Sequence, residues 1–405
     1  MKILVINSGS SSIKYQLFEM PGDTAVAGGL VERIGEPVGR VLYWSQAGAR
    51  VEREMPVAGH RQGLAQVVAL LLDGRQGVIG SAEEIAAVGH RVVHGGEQFS
   101  QPALIDAEVM DTIRELIPLA PLHNPANLAG IEVAREMFPE AAQAAVFDTA
   151  FHQTMPPRAY RYALPNALYE EQHIRVYGFH GTSHRYVSNM AIEHLGKPAA
   201  ETNLISLHLG NGASMTAVAG GKSIDTTMGF SPLPGLIMGT RSGDIDPAVI
   251  FYLSERLGMS VPEIDRLLNK QSGLLGLTGA NDARDIQARS EAGDAAAALA
   301  LEMYAYRIKK YIGAYTAVLG RVDAIIFTAG VGQNSPAVRQ LVCANLEPLG
   351  IALDEAKNAA GVTGTVSEIQ KENGRVKILI IPTNEELEIA RQTYALVGQI
   401  KKDMV

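Results

Sequence analysis

The chain has 405 residues, 47% of them hydrophobic and 19% charged, with a formal net charge of −8. This is ordinary globular composition with core enough for two or three domains, and its negative balance argues against nucleic acid as the main partner while leaving room for small anions beside local arginines. A lone Cys343 excludes an internal disulfide framework and fits a reducing, cytoplasmic setting, and no apolar run reaches the ~20 residues of a membrane span.

The opening runs straight into a strand, so no secretory leader is expected. Ile3 to Ile6 is a continuous apolar run that predicts a strand buried on both faces, and Ile13, Tyr15 and Leu17 alternate with Lys14 and Gln16 as a second strand would. The turn between them, Asn7-Ser-Gly-Ser10-Ser-Ser12, offers backbone N–H groups and hydroxyls to an anionic phosphate, and Lys14 adds a point charge on the face of Ser12. On its own it reads better as an ordinary hairpin with a serine-rich turn, and two later stretches change that balance. Strands are expected across Gly28 to Met55, a helix over His60 to Leu72, and a strand from Glu84 that ends in Gly89-His-Arg91-Val-Val93-His-Gly-Gly96. Asp106 caps a helix to Leu116, Asn124-Pro125 starts one that reaches Phe138, and the short strand Ala144 to Phe147 delivers Asp148.

The second half repeats the opening pattern. Asn203 to Leu209, a turn at Gly210-Asn211-Gly212 and a strand to Val218 form another β-turn-β unit. Helices are expected from Asp246-Pro247 to Gly258, from Ser260 and Pro262 to Gly273, and over Ala296 to Leu319. A buried strand from Asp323 enters a glycine turn at Gly330-Val-Gly332-Gln333-Asn334, after which Ser335 caps a helix with Pro336 at its first position. The strand Val376 to Ile381 precedes a last helix that opens at Asn384-Glu385-Glu386, where acidic residues suit the helix dipole without any further role. The two β-turn-β units predict an internal duplication, with two similar domains facing each other across a cleft.

Several stretches carry charge or imidazole beside glycine or proline turns: Phe147 to His152, Tyr177 to His184, and Gly229 to Asp246. That mixture suits a partly dry pocket with a few convergent polar groups. Commoner signatures are absent, since there is no G-x-S-x-G, and Gly221-Lys222-Ser223 has Thr216 where a P-loop needs its first glycine. His180 and His184 are four apart, but without H-E-x-x-H they do not predict zinc, and His184 reads as a helix-start histidine.

Taken together, Asn7 to Lys14, Gly89 to Gly96, Phe147 to His152, Tyr177 to His184, His208 to Ser214, Met238 to Asp244 and Thr383 to Leu387 resemble the acetate kinase family, from the first strand to the last helix. The resemblance implies an α/β chain with the two-domain, actin-like fold of acetate and sugar kinases and Hsp70-type chaperones, built on duplicated ribonuclease-H-like cores. It implies an N-terminal domain over 1–149 and 384–405, a nucleotide-binding domain over 150–383, and a homodimer. The implied reaction moves the γ-phosphoryl group of ATP to acetate, reversibly, with Mg²⁺ or Mn²⁺ and with ADP and acetyl phosphate as products. Neither nucleic acid nor a membrane is an expected partner.

By that resemblance Arg91 and Arg241 hold carboxylate or phosphoryl oxygens, His180 donates to an equatorial oxygen of the moving phosphoryl, and Asp148 is the active-site carboxylate that orients an arginine or helps to place Mg²⁺ through water. Acetate is already ionised at neutral pH, so no general base is required. Asn7 and Glu385 match the magnesium positions, with Glu386 left as a helix cap. Ser10, Ser12 and Lys14 face phosphate, His208, Leu209, Gly210, Asn211 and Gly212 cradle the β and γ phosphates, and Asp282, Ala283, Arg284, Gly330, Val331, Gly332, Gln333 and Asn334 contact adenosine and ribose. Gln333 departs from the glutamate expected in that turn. Val93, Leu122, Phe179 and Pro232 line the pocket for the acid's methyl group, and a β-branched Val93 favours acetate over propionate; His123 either borders the site or starts a helix. Propionate kinase, a pyrophosphate-using relative and a nucleotide switch on the same fold are the competing readings.

Overall fold

The computed structural model describes residues 1–403, with side chains to residue 399. The chain divides into two compact units, Met1–Phe151 together with the chain from Asn384 onward, and His152–Thr383.

The first unit carries β1 (Lys2–Ser8), β2 (Ser12–Glu19), β3 (Thr24–Glu32), β4 (Gly39–Ser45), β5 (Arg50–Met55), β6 (Ile85–Val92), β7 (Ala103–Leu104) and β8 (Ala142–Phe147) in one sheet of order β5-β4-β3-β2-β1-β6-β8-β7. The second carries β9 (Asn203–Leu209), β10 (Ala213–Ala219), β11 (Lys222–Thr226), β12 (Ala324–Thr328), β13 (Ser367–Glu368) and β14 (Lys377–Ile380), ordered β11-β10-β9-β12-β14-β13. The duplication is explicit here. In each sheet three antiparallel strands (β3-β2-β1 and β11-β10-β9) are followed by two parallel ones (β6-β8 and β12-β14).

Parallel strands need both faces covered, which is why β1, β9 and β12 are apolar along most of their length. One face of the first sheet packs Leu4, Ile6, Tyr15 and Leu17 against Leu64, Val67, Leu70 and Leu71 of helix His60–Leu71. The last helix, Glu385–Asp403, returns to this unit and packs on β1, β6 and β8. Gly89 admits it, because a Cβ there would stand 2.5 Å from Thr393 Oγ1. A sequence-distant carboxylate pair, Glu385 and Glu386, is thereby carried to the end of β6.

Two expectations are corrected. Gly273 does not close the helix Val261–Lys270; it sits at φ +62° and begins a further helix, Gly273–Thr278. Gln271 ends the earlier one, and position 273 takes glycine because a Cβ on it would overlap the carbonyl of Met238. The glycine turn after β12 is itself a short helix, Ala329–Asn334, entered through Ala329 at φ +63°. Its glycines carry no side chain to signal helical periodicity.

Candidate functional site

In parallel α/β sheets ligands collect beyond the carboxyl ends of the strands, and in the first unit β1, β6 and β8 end side by side. Asn7, Arg91 and Asp148 leave those ends together. Arg91 donates from Nε (3.0 Å) and Nη2 (2.5 Å) to Asp148 Oδ2, and from Nη1 to Asn7 Oδ1 at 3.3 Å. Asp148 is buried. Burial works against the Arg91 charge, but Asp148 and then Glu385 outweigh it and strengthen its hold on the proton. Glu385 is half-buried at the start of the last helix. Loss of water raises its pKa above the usual carboxylate range, and Asp148 and Glu386 add to this against the pull of Arg91. One guanidinium therefore serves a cluster of three carboxylates.

The turn after β1 is less open than its composition suggests. Gly9 N–H donates to Ser12 O at 2.8 Å, and the Gly9 carbonyl meets His60 Nε2 at 2.7 Å. Ser10 is exposed and Ser12 is half-buried. Lys14 Nζ lies 2.7 Å from Glu386 Oε1, so in this structure the lysine neutralises that carboxylate. Glu386 is 5% exposed, and the pair corrects its reading as a plain helix cap. Asn384 does the capping, its Oδ1 accepting from Leu387 N–H at 3.0 Å.

Val93 is buried and Leu122 is 61% exposed. His123 holds the cap position of helix Asn124–Met137. Composition alone did not reveal Asn124 and Asn127, two buried amides that grip the stretch after β6: Asn127 Oδ1 accepts from Val93 N–H at 3.0 Å, and Asn124 Oδ1 from His94 N–H at 3.1 Å. The available signal was two asparagines on the apolar face of a helix, where a core would use leucine.

In the second unit His180 precedes helix Gly181–Leu195 at φ +57°, a left-handed conformation unusual for a residue with a Cβ. Its ring stacks on His208 with centroids 4.3 Å apart, and its Nδ1 meets Ser214 Oγ at 2.9 Å. His208 Nδ1 meets Ser183 Oγ at 2.7 Å. His184 is fully buried rather than a simple helix-start residue; its Nδ1 meets Ser206 Oγ at 2.8 Å and its Nε2 meets Ser214 Oγ at 2.7 Å. Burial, then the neighbouring His152 and His208, hold its pKa well below the ordinary histidine value.

Arg241 donates from Nη1 to Pro232 O at 3.1 Å, so Pro232 serves the arginine through its carbonyl. Burial lowers the Arg241 pKa, and among the described residues no carboxylate lies within ion-pair range. Both His180 and Arg241 come close to Gly212, since a Cβ on it would stand 3.4 Å from His180 Nε2 and 3.6 Å from Arg241 Nη1. Leu209 ends β9, and Phe179 is buried just ahead of His180.

Beside this group is a cavity of about 480 Å³ lined by Gly210, Asn211, Asp282, Ala283, Arg284, Gly330, Val331 and Asn334. It falls in the usual range for a small-molecule site. Asn281, Gln287 and Tyr304 also line it and were not anticipated. Gly332 is buried, and Gln333 is held through its backbone, its carbonyl accepting from the fully buried Arg339 at 2.8 Å. Arg284 pairs with Asp282 at 2.5 Å and draws its carboxyl down to about 2.

A divalent cation fits the donors of the first unit. Among the described residues no group of three or more His, Cys, Asp or Glu forms a cage. One amide oxygen and one desolvated carboxylate suit a hard ion that keeps waters and phosphate oxygens. No described helix is long and apolar enough to cross a membrane.

The sequence model of the acetokinase family matches residues 2–391. An acetate kinase of Nitratidesulfovibrio vulgaris (Hildenborough) is 55% identical over 397 residues, covering 97% of this chain and 98% of that one. Among solved structures, Porphyromonas gingivalis acetate kinase is similar with a TM-score of 0.92 at 46% identity, covering 98% of this chain and 99% of that one. A propionate kinase from Francisella tularensis gives 0.91 at 42% identity, covering 97% and 99%.

Proposed function

The chain belongs to the acetokinase family, and from that premise we propose that it transfers the γ-phosphoryl group of ATP to acetate, forming acetyl phosphate and ADP, and runs the same transfer in reverse. Its two sheets are the duplicated cores of the actin-like fold. The observation that carries the site assignment is Arg241, a desolvated guanidinium beside His180 Nε2 and without an acidic partner among the described residues. Such a cation is compensated by an anionic ligand.

Both reactants are anions, so the catalytic task is to offset their repulsion and to stabilise charge on the equatorial oxygens of the moving phosphoryl. Arg241 and the His180 Nε2–H serve those oxygens, and Arg91, oriented by Asp148, serves acetate and the phosphoryl. The nucleoside occupies the cavity at Asp282 to Arg284 and Gly330 to Asn334, with Gly210 to Gly212 along the phosphates. Asn7 and Glu385 would hold Mg²⁺ or Mn²⁺. That ion supplies charge neutralisation and orientation of the β and γ phosphates when bound. Glu385→Ala raises the concentration of Mg²⁺ needed for half-maximal rate, read from a magnesium titration at saturating ATP; an unchanged titration leaves Glu385 as a structural residue. Ser10, Ser12 and Lys14 face phosphate, which for Lys14 requires release from Glu386.

The reaction is tested by acyl-hydroxamate formation with Mg-ATP, hydroxylamine and, in parallel, acetate, propionate and butyrate, with pyrophosphate as an alternative donor. Product that depends on ATP and is best with acetate is expected. One methylene is worth roughly 1–3 kcal/mol, so propionate reacts less well rather than not at all. Product best with propionate would discard the reading of Val93, Leu122, Phe179 and Pro232 as an acetate-sized pocket; no product with any acid would overturn the function.

The chain acts in the cytoplasm as a homodimer. Supporting the dimer is helix Ala248–Leu257, which is rich in apolar residues yet buries none of them, with Phe251 64% and Tyr252 60% exposed. Light scattering should give twice the chain mass, and Phe251→Glu with Tyr252→Lys should give the single mass; a monomeric native protein refutes the assembly.

A further inference from the structure

The second unit contains a buried chain of side chains that the reaction as described does not use. Ser206 Oγ meets His184 Nδ1 at 2.8 Å, His184 Nε2 meets Ser214 Oγ at 2.7 Å, and Ser214 Oγ meets His180 Nδ1 at 2.9 Å. Ser206, His184 and Ser214 are each 0% exposed. The far end of the chain, His180 Nε2, faces Gly212 and stands on the side of Arg241 Nη1.

The polarity of such a chain is all-or-none. Ser214 has one hydroxyl proton, two lone pairs and two imidazole neighbours; it could accept from both rings only by leaving its own fully buried proton unused, so it donates to one ring and accepts from the other. A neutral imidazole likewise donates from one nitrogen and accepts at the other. Two arrangements satisfy the three contacts of this chain and also use the Ser214 proton. In the first, Ser206 O–H donates to His184 Nδ1, His184 Nε2–H donates to Ser214, and Ser214 O–H donates to His180 Nδ1. The only ring proton of a neutral His180 is then on Nε2. In the second, every bond is reversed, and a neutral His180 presents a bare nitrogen toward Arg241. A bare nitrogen cannot donate to a phosphoryl oxygen.

We propose that Ser206, His184 and Ser214 are positioning residues that hold His180 as the neutral tautomer protonated on Nε2, so that it meets the transferred phosphoryl as a hydrogen-bond donor without first acquiring a proton. The proposal rests on the assignment of His180 as a donor to that group. Complete burial of His184 keeps it neutral and so permits it to relay one polarity. The cost of a wrong tautomer is known from serine proteases, where it lowers kcat by about 10⁴.

The test is ring-nitrogen NMR of the full chain carrying isotopically labelled histidine, with the His180 signals identified by their loss in His180→Gln. At neutral pH the native protein should show His180 Nδ1 unprotonated and Nε2 protonated. In Ser214→Ala both signals should move toward the average of exchanging tautomers. Its kcat should fall about tenfold, short of the ~10² to 10³ for losing a transition-state donor outright, with KM for ATP and acetate little changed. His184→Gln keeps an amide N–H directed at Ser214 and should keep the native tautomer. A native His180 protonated on Nδ1, singly or together with Nε2, overturns the proposal, as do unchanged His180 signals in Ser214→Ala. Full turnover by His180→Ala overturns the role of His180 itself, and it does so independently of the tautomer measured.

Discussion

Arg91→Ala should lower kcat by at least about 10²-fold, on the scale at which transition-state arginines act, and should also destabilise the protein. The two losses have different origins. The catalytic one, on the proposed function, is the loss of guanidinium N–H donors for acetate and phosphoryl oxygens; a lysine, with a point charge in place of a planar group, should not restore it. The structural one is electrostatic. Asp148 is 1% exposed and takes both Nε and Nη2 of Arg91, so removing the guanidinium leaves a buried carboxylate without its strongest partner. Breaking a buried pair from one side costs about 3–5 kcal/mol. Arg91→Ala combined with Asp148→Asn should therefore recover much of the lost stability, measured by urea unfolding, and none of the lost turnover. Recovery of both would mean that Arg91 only holds Asp148.

Arg241→Ala should be as damaging to kcat, by ~10²-fold or more, yet leave stability close to native. Its Nη1 donates to the Pro232 carbonyl at 3.1 Å and weakly to Met238 S at 3.7 Å, and no carboxylate among the described residues depends on it. Burial already disfavours the charge, so deleting it relieves desolvation without stranding a partner. The contrast between the two arginines separates catalysis from scaffolding more sharply than either variant alone. Near-normal turnover in both variants would refute phosphoryl transfer at this site.

Much of this was legible in the chain because local rules agree with the fold. The apolar runs of β1, β9 and β12 announce strands covered on both faces, Asp106 and Ser335 cap the helices that follow them, and the repeated strand-turn-strand pattern marks the duplication. What failed did so where backbone conformation or partner choice is set from a distance. Gly273 looked like a helix stop, since glycine is the commonest residue there; it starts a helix because the Met238 carbonyl passes too close for any Cβ. Lys14 looked committed to phosphate and is engaged by Glu386, from the other end of the chain.

The main buried strands, the repeated strand-turn-strand unit and the family are properties of the sequence by itself, because each follows from periodicity, turn chemistry or motif identity over nearly the whole length, whereas the order of strands within each sheet was set by the fold. Which charge faces which, and which ring nitrogen is directed where, were decided only in three dimensions. Arg91 meets carboxylates from β8 and the last helix, and His180 is tied to Ser214 and through it to His184. The reason is physical: burial removes water as a partner, so each polar group must take whatever the packed backbone brings within about 3 Å, and sequence spacing carries no record of that distance.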